Sequence, residues 1–441
     1  MSALKILVVE DSEIASDILT QALESDGKLQ VVGVARNGQE ALNLIPSLSP
    51  DLITMDVYMP IMDGFETVER IMADYPTPIL VITSSSLKED IRLSMRMLEA
   101  GALDVIEKPL LSNEAQWVAR QRELITRVKM LAGVKVITHL RGRRNQAKAE
   151  TQPLKSEATP NFTPAPPDPR VLKPLPPSSL STRKNLPILP EKNHPLLPNS
   201  AILPANSSSF AKTEALFPLS HQMNNRPEVI KAAFPDNPFY QVVALASSTG
   251  GPTALLRILQ ILPPNLPCGL LLVQHISEGF TQGLVDWLQR ETALKIKVAQ
   301  NGERVTPGQV LVAPDGRDLL INSNGQIVTS KDSKEGDHQV RPCADVLMRS
   351  VAHFYRARSI GLVLTGMGSD GAKGLLEMAY SGAYTLAQDE ATSLIYGMPK
   401  AATDNGAAHE VIALGRIATR LVELLQYSST NSPFSQGGRR R

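Results

Sequence analysis

Short apolar runs that each end on a polar or acidic residue, and are followed by helix-spaced stretches, recur in two blocks of this chain. In the first block Leu4-Lys5-Ile6-Leu7-Val8-Val9 ends at Glu10-Asp11, and Leu52-Ile53-Thr54-Met55 ends at Asp56. Pro78 to Ile82 then ends at Thr83, and Ala102 to Ile106 leads to Lys108-Pro109. Helical spacing runs between them over Ile14 to Ala22, Gly38 to Ile45 and Phe65 to Met72, so the block predicts alternating strands and helices around a parallel sheet. In the second block Gln241 to Leu245 is β-rich and apolar, Ala246-Ser247-Ser248-Thr249-Gly250-Gly251-Pro252 reads as a turn, and Thr253 to Leu259 has helical spacing, with Pro252 near the first helical position. Gly269 to Val273 leads to Gln274-His275, and Ile360 to Leu364 leads to Thr365-Gly366-Met367-Gly368-Ser369-Asp370-Gly371.

Leu131 to Leu140 reads as a helix leading out of the first block, and beyond Arg141 the periodicity fails. From about 145 to 235 the chain is crowded with Pro, Ser, Asn and Lys, a composition that buries too little apolar surface to offset its conformational entropy. The expected organisation is therefore one domain over 1–125, a helix extension and disordered linker over 126–236, a second domain over 237–428 and a flexible tail over 429–441. A tether of about 85 flexible residues has a root-mean-square span of roughly 50 Å. Such a tether holds the two domains at an effective concentration of roughly a few millimolar.

The turn at Ser248 places a hydroxyl where a strand becomes a helix, and there the unpaired N–H groups of the first helical turn favour an anion. Ala246-x-Ser248-x-Gly250 has the small flanking residues that a sharp nucleophile elbow needs, while neither G-x-G-x-x-G nor a P-loop ending is present. In a parallel sheet the carboxyl ends of strands share one edge, so Ser248, His275 and Asp370 converge in one crevice. A serine needs an imidazole to take its proton, and the imidazole needs a carboxylate to fix its tautomer. Taken alone, His275 reads as a structural histidine and Asp370 as a cap for a helix beginning near Ala372. Their joint placement carries the catalytic reading, and the order Ser, His, Asp differs from that of the α/β-hydrolases.

In the first block, Glu10, Asp11 and Asp56 follow strands, as do Thr83 and Lys108. Clustered carboxylates repel one another unless a divalent cation sits among them, and an all-oxygen set suits magnesium. Asp56 is then an oxygen nucleophile for phosphoryl transfer, with Lys108 to neutralise charge and Thr83 to hydrogen-bond the phosphoryl group.

Composition narrows the function further. Lys+Arg of 45 against Asp+Glu of 44 gives a formal charge of +1, which argues against nucleic acid as the main partner. Two cysteines, Cys268 and Cys343, form neither a disulfide framework nor a metal-ligand spacing, so a reducing cytoplasm is expected. Neither a signal peptide nor a long apolar run is visible.

SSTGGP, VQHISEGFT, RPCADVLMRSVA, LTGMGSDGAKG and AQDEATSLIYGMPKAA follow one another over about residues 238 to 425, and this stretch resembles the chemotaxis protein-glutamate methylesterases. The resemblance implies a doubly wound, mostly parallel α/β domain with Ser248 as nucleophile, His275 as base and Asp370 as the triad carboxylate. It places Thr249, Gly250, Gly251 and Met367 beside the nucleophile or the oxyanion. Relatives usually carry Ser-Val where this chain has Cys343-Ala344, a change expected to leave the triad unaffected. Residues 1 to 125, through VVEDSEIA, MDVYMPIMDGFE, VITSSS and EKP, resemble the receiver domain of response regulators, a flavodoxin-like fold with a five-stranded parallel sheet. That implies Asp56 as phosphoacceptor, Glu10, Asp11, Asp56 and the Tyr58 backbone carbonyl as Mg2+ ligands, and Thr83 and Lys108 as switch residues. Val105 stands where receivers often have an aromatic.

Together the two resemblances imply a monomeric enzyme that hydrolyses glutamyl methyl esters on chemoreceptors and deamidates receptor glutamines. A histidine kinase is its phosphodonor, Mg2+ serves the receiver, and the esterase reaction needs no cofactor. In short-linked relatives the receiver covers the active-site face, and the same closed state is expected here. The alternative is an adaptor that binds receptors without chemistry.

Overall fold

In the computed structural model, residues 3–83, 88–109, 114–136, 240–331 and 340–430 are described. The expected Pro-rich linker from 137 onward and the tail from 431 lie outside the described residues.

The first domain alternates strictly: β1 Leu4–Val9, α1 Glu13–Glu24, β2 Leu29–Ala35, α2 Gly38–Leu48, β3 Leu52–Met55, α3 Gly64–Asp74, β4 Ile79–Thr83, α4 Lys88–Ala100, β5 Asp104–Glu107 and α5 Glu114–Leu131. The strands are parallel in the order β2-β1-β3-β4-β5. Local chemistry sets the helix starts. Ser12, Asn37 and Asp63 each turn an oxygen back onto the N–H three residues on, satisfying one of the donors a helix leaves open. Of the helix expected over Leu131 to Leu140, residues 132–136 are not helical: α5 ends at Leu131 and a turn follows at Ala132-Gly133, while 137–140 lie outside the described residues.

The second domain begins with β6 Val242–Ser247, α6 Gly251–Leu259, β7 Gly269–Gln274, α7 Thr281–Glu291, β8 Lys295–Val298 and β9 Gln309–Val312. A small antiparallel pair follows, β10 Asp318–Ile321 with β11 Ile327–Ser330, and then α8 Ala344–Tyr355. The chain closes with β12 Ser359–Val363, α9 Ala372–Tyr380, β13 Tyr384–Gln388, α10 Met398–Asp404, β14 Glu410–Ile412 and α11 Leu414–Thr430. Seven strands form one sheet in the order β14-β13-β12-β6-β7-β9-β8, and the recorded pairings are parallel. The order reverses at β6, which makes the crevice above its carboxyl end the topological switch point.

Burial alternates along β6 in two directions, which explains why its sequence is apolar throughout. Val243 and Leu245 enter the cluster that holds Leu255, Ile258 and Leu421, while Val242, Ala244 and Ala246 enter the one that holds Leu347, Met348 and Leu375. Helices thus cover both faces, and small alanines at 244 and 246 leave room for α8 against the strand.

The two domains belong to one compact unit. Ile91 and Met95 of α4 join the apolar cluster that contains Leu284 and Leu288 of α7. At Gly283 of α7 an added Cβ would stand 2.0 Å from Ile91 Cγ2. Leu394 and Ile395 pack on the receiver cluster that contains Leu124, Val128 and Leu131.

Candidate active site

Ser248 follows the last residue of β6 and precedes the left-handed Gly250, whose φ of 76° turns the chain into α6. A side chain at Gly250 is excluded twice, by that conformation and by Leu394, which would lie 2.7 Å from a Cβ. The turn is pinned from the neighbouring strand, since Ser248 N–H donates to Thr365 O at 3.0 Å and Thr365 Oγ1 donates to Thr249 O at 3.0 Å. Thr365 is itself fixed by Gln388, whose Oε1 accepts from its N–H at 2.8 Å.

His275 lies one residue beyond β7, with its N–H on Ser247 O at 2.9 Å. Its Nε2 is 2.8 Å from Asp370 Oδ2. An ionised carboxylate only accepts, so Nε2 carries the proton and Nδ1 is left as the basic nitrogen. Among the described residues no hydrogen bond joins Ser248 Oγ to His275. Catalytic hydrogen bonds of this kind tighten when substrate is bound.

Asp370 does more than cap its own helix. Its Oδ1 accepts from Gly371 N at 2.9 Å and from Asp345 N at 2.9 Å, and Oδ2 accepts from Ala344 N at 2.7 Å. The carboxylate therefore sits on the N-terminus of α8, where the orphan N–H groups and the helix dipole favour negative charge. Burial alone would push this carboxyl up; the His275 hydrogen bond and charge and the two α8 N–H groups outweigh that and hold it down at about 2. Cys343, part of the change expected to leave the triad unaffected, brings its Sγ to 3.2 Å from Asp370 Oδ1. Burial and the Asp370 charge push that thiol up, which leaves it a neutral donor.

The other predicted neighbours divide. The N–H groups of Thr249, Gly250 and Met367 have no hydrogen-bond partner among the described residues, so they are open to a developing oxyanion. Gly251, expected beside the nucleophile or the oxyanion, has its N–H on Ser248 O at 2.7 Å. Ser247 is buried and donates to Gln274 Oε1 at 2.6 Å. Sequence reasoning passed over Gln274, Thr365 and Gln388, polar residues that are buried at or just past strand ends.

The receiver reaches this site. Arg127 of α5 is paired with Asp104 and donates to Thr249 Oγ1 at 3.3 Å, one residue from Ser248. A groove of about 510 Å³ separates Met130, Val134 and Lys135 from Met367, Leu394 and Tyr396.

At the other site, ligand oxygens of Glu10, Asp11 and Asp56 lie within 4.8 Å of one another. Lys108 Nζ is 2.8 Å from Glu10 Oε2 and 2.9 Å from Asp56 Oδ2. Burial raises the Glu10 carboxyl, with the Asp56 charge adding to it. Asp56 is raised by burial as well, against the pull of Lys108. Thr83 is buried at the end of β4, and Tyr58 is half exposed just past Asp56. Val105 is buried in the apolar core. Three crowded carboxylates, with Glu10 and Asp56 raised in proton affinity, are a donor set that fits a hard divalent cation.

The family model described as CheB methylesterase matches residues 243–421, and that of the response regulator receiver domain matches residues 6–119. Over 421 residues the chain is 35% identical to protein-glutamate methylesterase/protein-glutamine glutaminase 1 of Syntrophus aciditrophicus, covering 96% of this chain and 98% of that protein. It is 37% identical over 425 residues to protein-glutamate methylesterase/protein-glutamine glutaminase 4 of Myxococcus xanthus, with 96% and 98% covered. Among solved structures, the CheB methylesterase catalytic domain of Thermotoga maritima aligns at 36% identity with a TM-score of 0.40, over 42% of this chain and 98% of that one.

Proposed function

Since the chain belongs to the protein-glutamate methylesterase/protein-glutamine glutaminase family, we propose that it is a receiver-controlled serine hydrolase that demethylates glutamyl side chains of chemoreceptors and deamidates receptor glutamines. The observation that carries this is the fully bonded His275–Asp370 pair beside the Ser248 turn. His275 Nδ1 takes the Ser248 proton as Oγ attacks the ester carbonyl, and the N–H groups of Thr249 and Met367 take up the charge on the carbonyl oxygen. The protonated imidazole returns the proton to the leaving methoxide, releasing methanol and leaving an acyl ester on Ser248. Water, deprotonated by the same nitrogen, then attacks the ester and frees glutamate and Ser248. With glutamine the leaving group is ammonia and the steps are otherwise the same. The esterase steps need no group beyond these side chains and water.

Control comes from the receiver. Glu10, Asp11, Asp56 and the Tyr58 carbonyl would hold Mg2+, which when bound would supply charge neutralisation for a phosphoryl group arriving at Asp56 from a histidine kinase. Lys108 holds the phosphoryl oxygens and Thr83 hydrogen-bonds them. Docking of α4 on α7, and of Arg127 on Thr249, keeps the unphosphorylated enzyme closed, and the Pro-rich linker from about 145 to 235 keeps the receiver near when it undocks. Among the described residues no helix is long and apolar enough to cross a membrane. The proposed enzyme is a cytoplasmic monomer that meets the receptors at their cytoplasmic helices.

Methanol release from methylated receptor membranes tests the reading, since an adaptor without chemistry releases none. Two variants separate the parts. Asp56→Asn should stay at the basal rate when Mg2+ and a small acyl-phosphate donor are added, and it should not be labelled; labelling as strong as in the parent would refute Asp56. Gly283→Leu puts a side chain where Ile91 docks and should raise the unphosphorylated rate by roughly tenfold or more, because a contact mostly closed by a millimolar tether has that much activity in reserve. An unchanged basal rate in a folded Gly283→Leu chain would show that this contact does not inhibit.

A further inference from the structure

Gln274 carries a role that the triad does not account for. Its side chain is 4% exposed, and its amide is fully used: Oε1 accepts from Ser247 Oγ at 2.6 Å, while Nε2 donates to Ser248 O at 2.9 Å and to His275 O at 2.8 Å. The orientation of the amide follows from its partners, because two carbonyls can only accept and so must face the NH2 group, whereas a hydroxyl can serve either end. One amide nitrogen therefore ties the carbonyl of the nucleophile residue to the carbonyl of the base residue. The remaining freedom is removed from below, since a Cβ on Gly251 would stand 2.1 Å from Gln274 Oε1, and the first turn of α6 thus rests on the amide.

We infer that Gln274 is a positioning residue that sets the separation of Ser248 and His275 by bridging their backbone carbonyls. This rests on the reading of Ser248 and His275 as nucleophile and base. Among the described residues no hydrogen bond joins the serine hydroxyl to the imidazole, so their alignment depends on how the ends of β6 and β7 are held. In a hydrolase of this kind a misplacement of about 1 Å costs about 100-fold in rate. Substrate binding does not depend on the bridge, so the loss belongs in kcat and not in KM.

The test uses the full-length phosphorylated chain and methanol release, with kcat referred to the folded fraction measured by circular dichroism. Gln274→Met keeps the volume and removes the donors; it should lower kcat by about 100-fold with KM within about threefold of the parent. Gln274→Glu takes up a proton in this buried place and so keeps one donor. It should recover part of the loss, increasingly so toward lower pH relative to Gln274→Met. A merely structural glutamine would lower the folded fraction and leave kcat per folded molecule alone. If Gln274→Met does not fold, Gln274→Glu decides by the same criterion. A kcat within threefold of the parent in the variant that folds, or a rise in KM in place of the fall in kcat, would overturn the inference. An inactive parent would instead strike at the esterase reading itself.

Discussion

Ser248→Ala is expected to lower turnover by about four to six decades while the domain stays folded. Ser248 as a residue is largely buried, but among the described residues its hydroxyl has no hydrogen-bond partner, so its removal leaves no partner unsatisfied. A small residue is replaced by another small one in a turn whose shape is set by Gly250 and by the Ser248 N–H bond to Thr365 O. What survives is the contribution of the oxyanion donors and of substrate binding. The neighbouring hydroxyls do not offer a substitute. Ser247 points into the buried Gln274 amide and Thr249 is engaged by Arg127. Thermal melts within a few degrees of the parent, with methanol release at the limit of detection, are the predicted pair of results. Release near the parental rate would remove Ser248 from the mechanism.

Asp370→Asn should cost about four decades in turnover, and it should also destabilise the domain. Three donors converge on Oδ1, counting the Cys343 thiol, and the amide oxygen is held on that side. The new NH2 group then faces Ala344 N–H and His275 Nε2. Against Nε2 it can only donate, so the imidazole proton moves to Nδ1 and the nitrogen that should take the Ser248 proton is blocked. Against Ala344 it leaves a buried N–H without an acceptor, at about 1–3 kcal/mol. The pH dependence of stability changes as well. Because the folded carboxyl is held at about 2 against an ordinary 3.8, its ionisation contributes about 2 kcal/mol at neutral pH. That contribution is present above about pH 4 and is lost as pH falls toward 2. The variant should lack this acid-induced loss while melting lower than the parent at pH 7. Turnover within tenfold of the parent would make Asp370 a structural cap and no part of the catalytic relay.

Strand ends made much of this legible in the sequence. In a parallel sheet covered on both faces, a strand is an unbroken apolar run, and the first polar residue after it is either solvated or working. Glu10, Asp56, Thr83, Ser248 and His275 were visible on that ground alone. Strands with weaker runs were not. β2, Leu29–Ala35, is an edge strand with Gln30 exposed, and β14, Glu410–Ile412, is an edge strand of 3 residues with none of them buried. The α8 contact of Asp370 was hidden because Ala344 and Asp345 are distant in sequence and give only backbone N–H groups, which no residue pattern marks. Gln274 was hidden by its neighbour: next to His275 it read as the polar end of a strand, although it is buried and still within β7. Cys343 was seen as a departure, but only the fold shows that the departure touches the carboxylate.

The most direct measurement is the initial rate of methanol release by the full-length chain from methylated receptor membranes, before and after a small acyl-phosphate donor and Mg2+ are added. The account predicts a low basal rate that rises roughly tenfold or more on phosphorylation, with no rise in Asp56→Asn and no release in Ser248→Ala. An equal rate with and without the donor, or release that persists in Ser248→Ala, would contradict it.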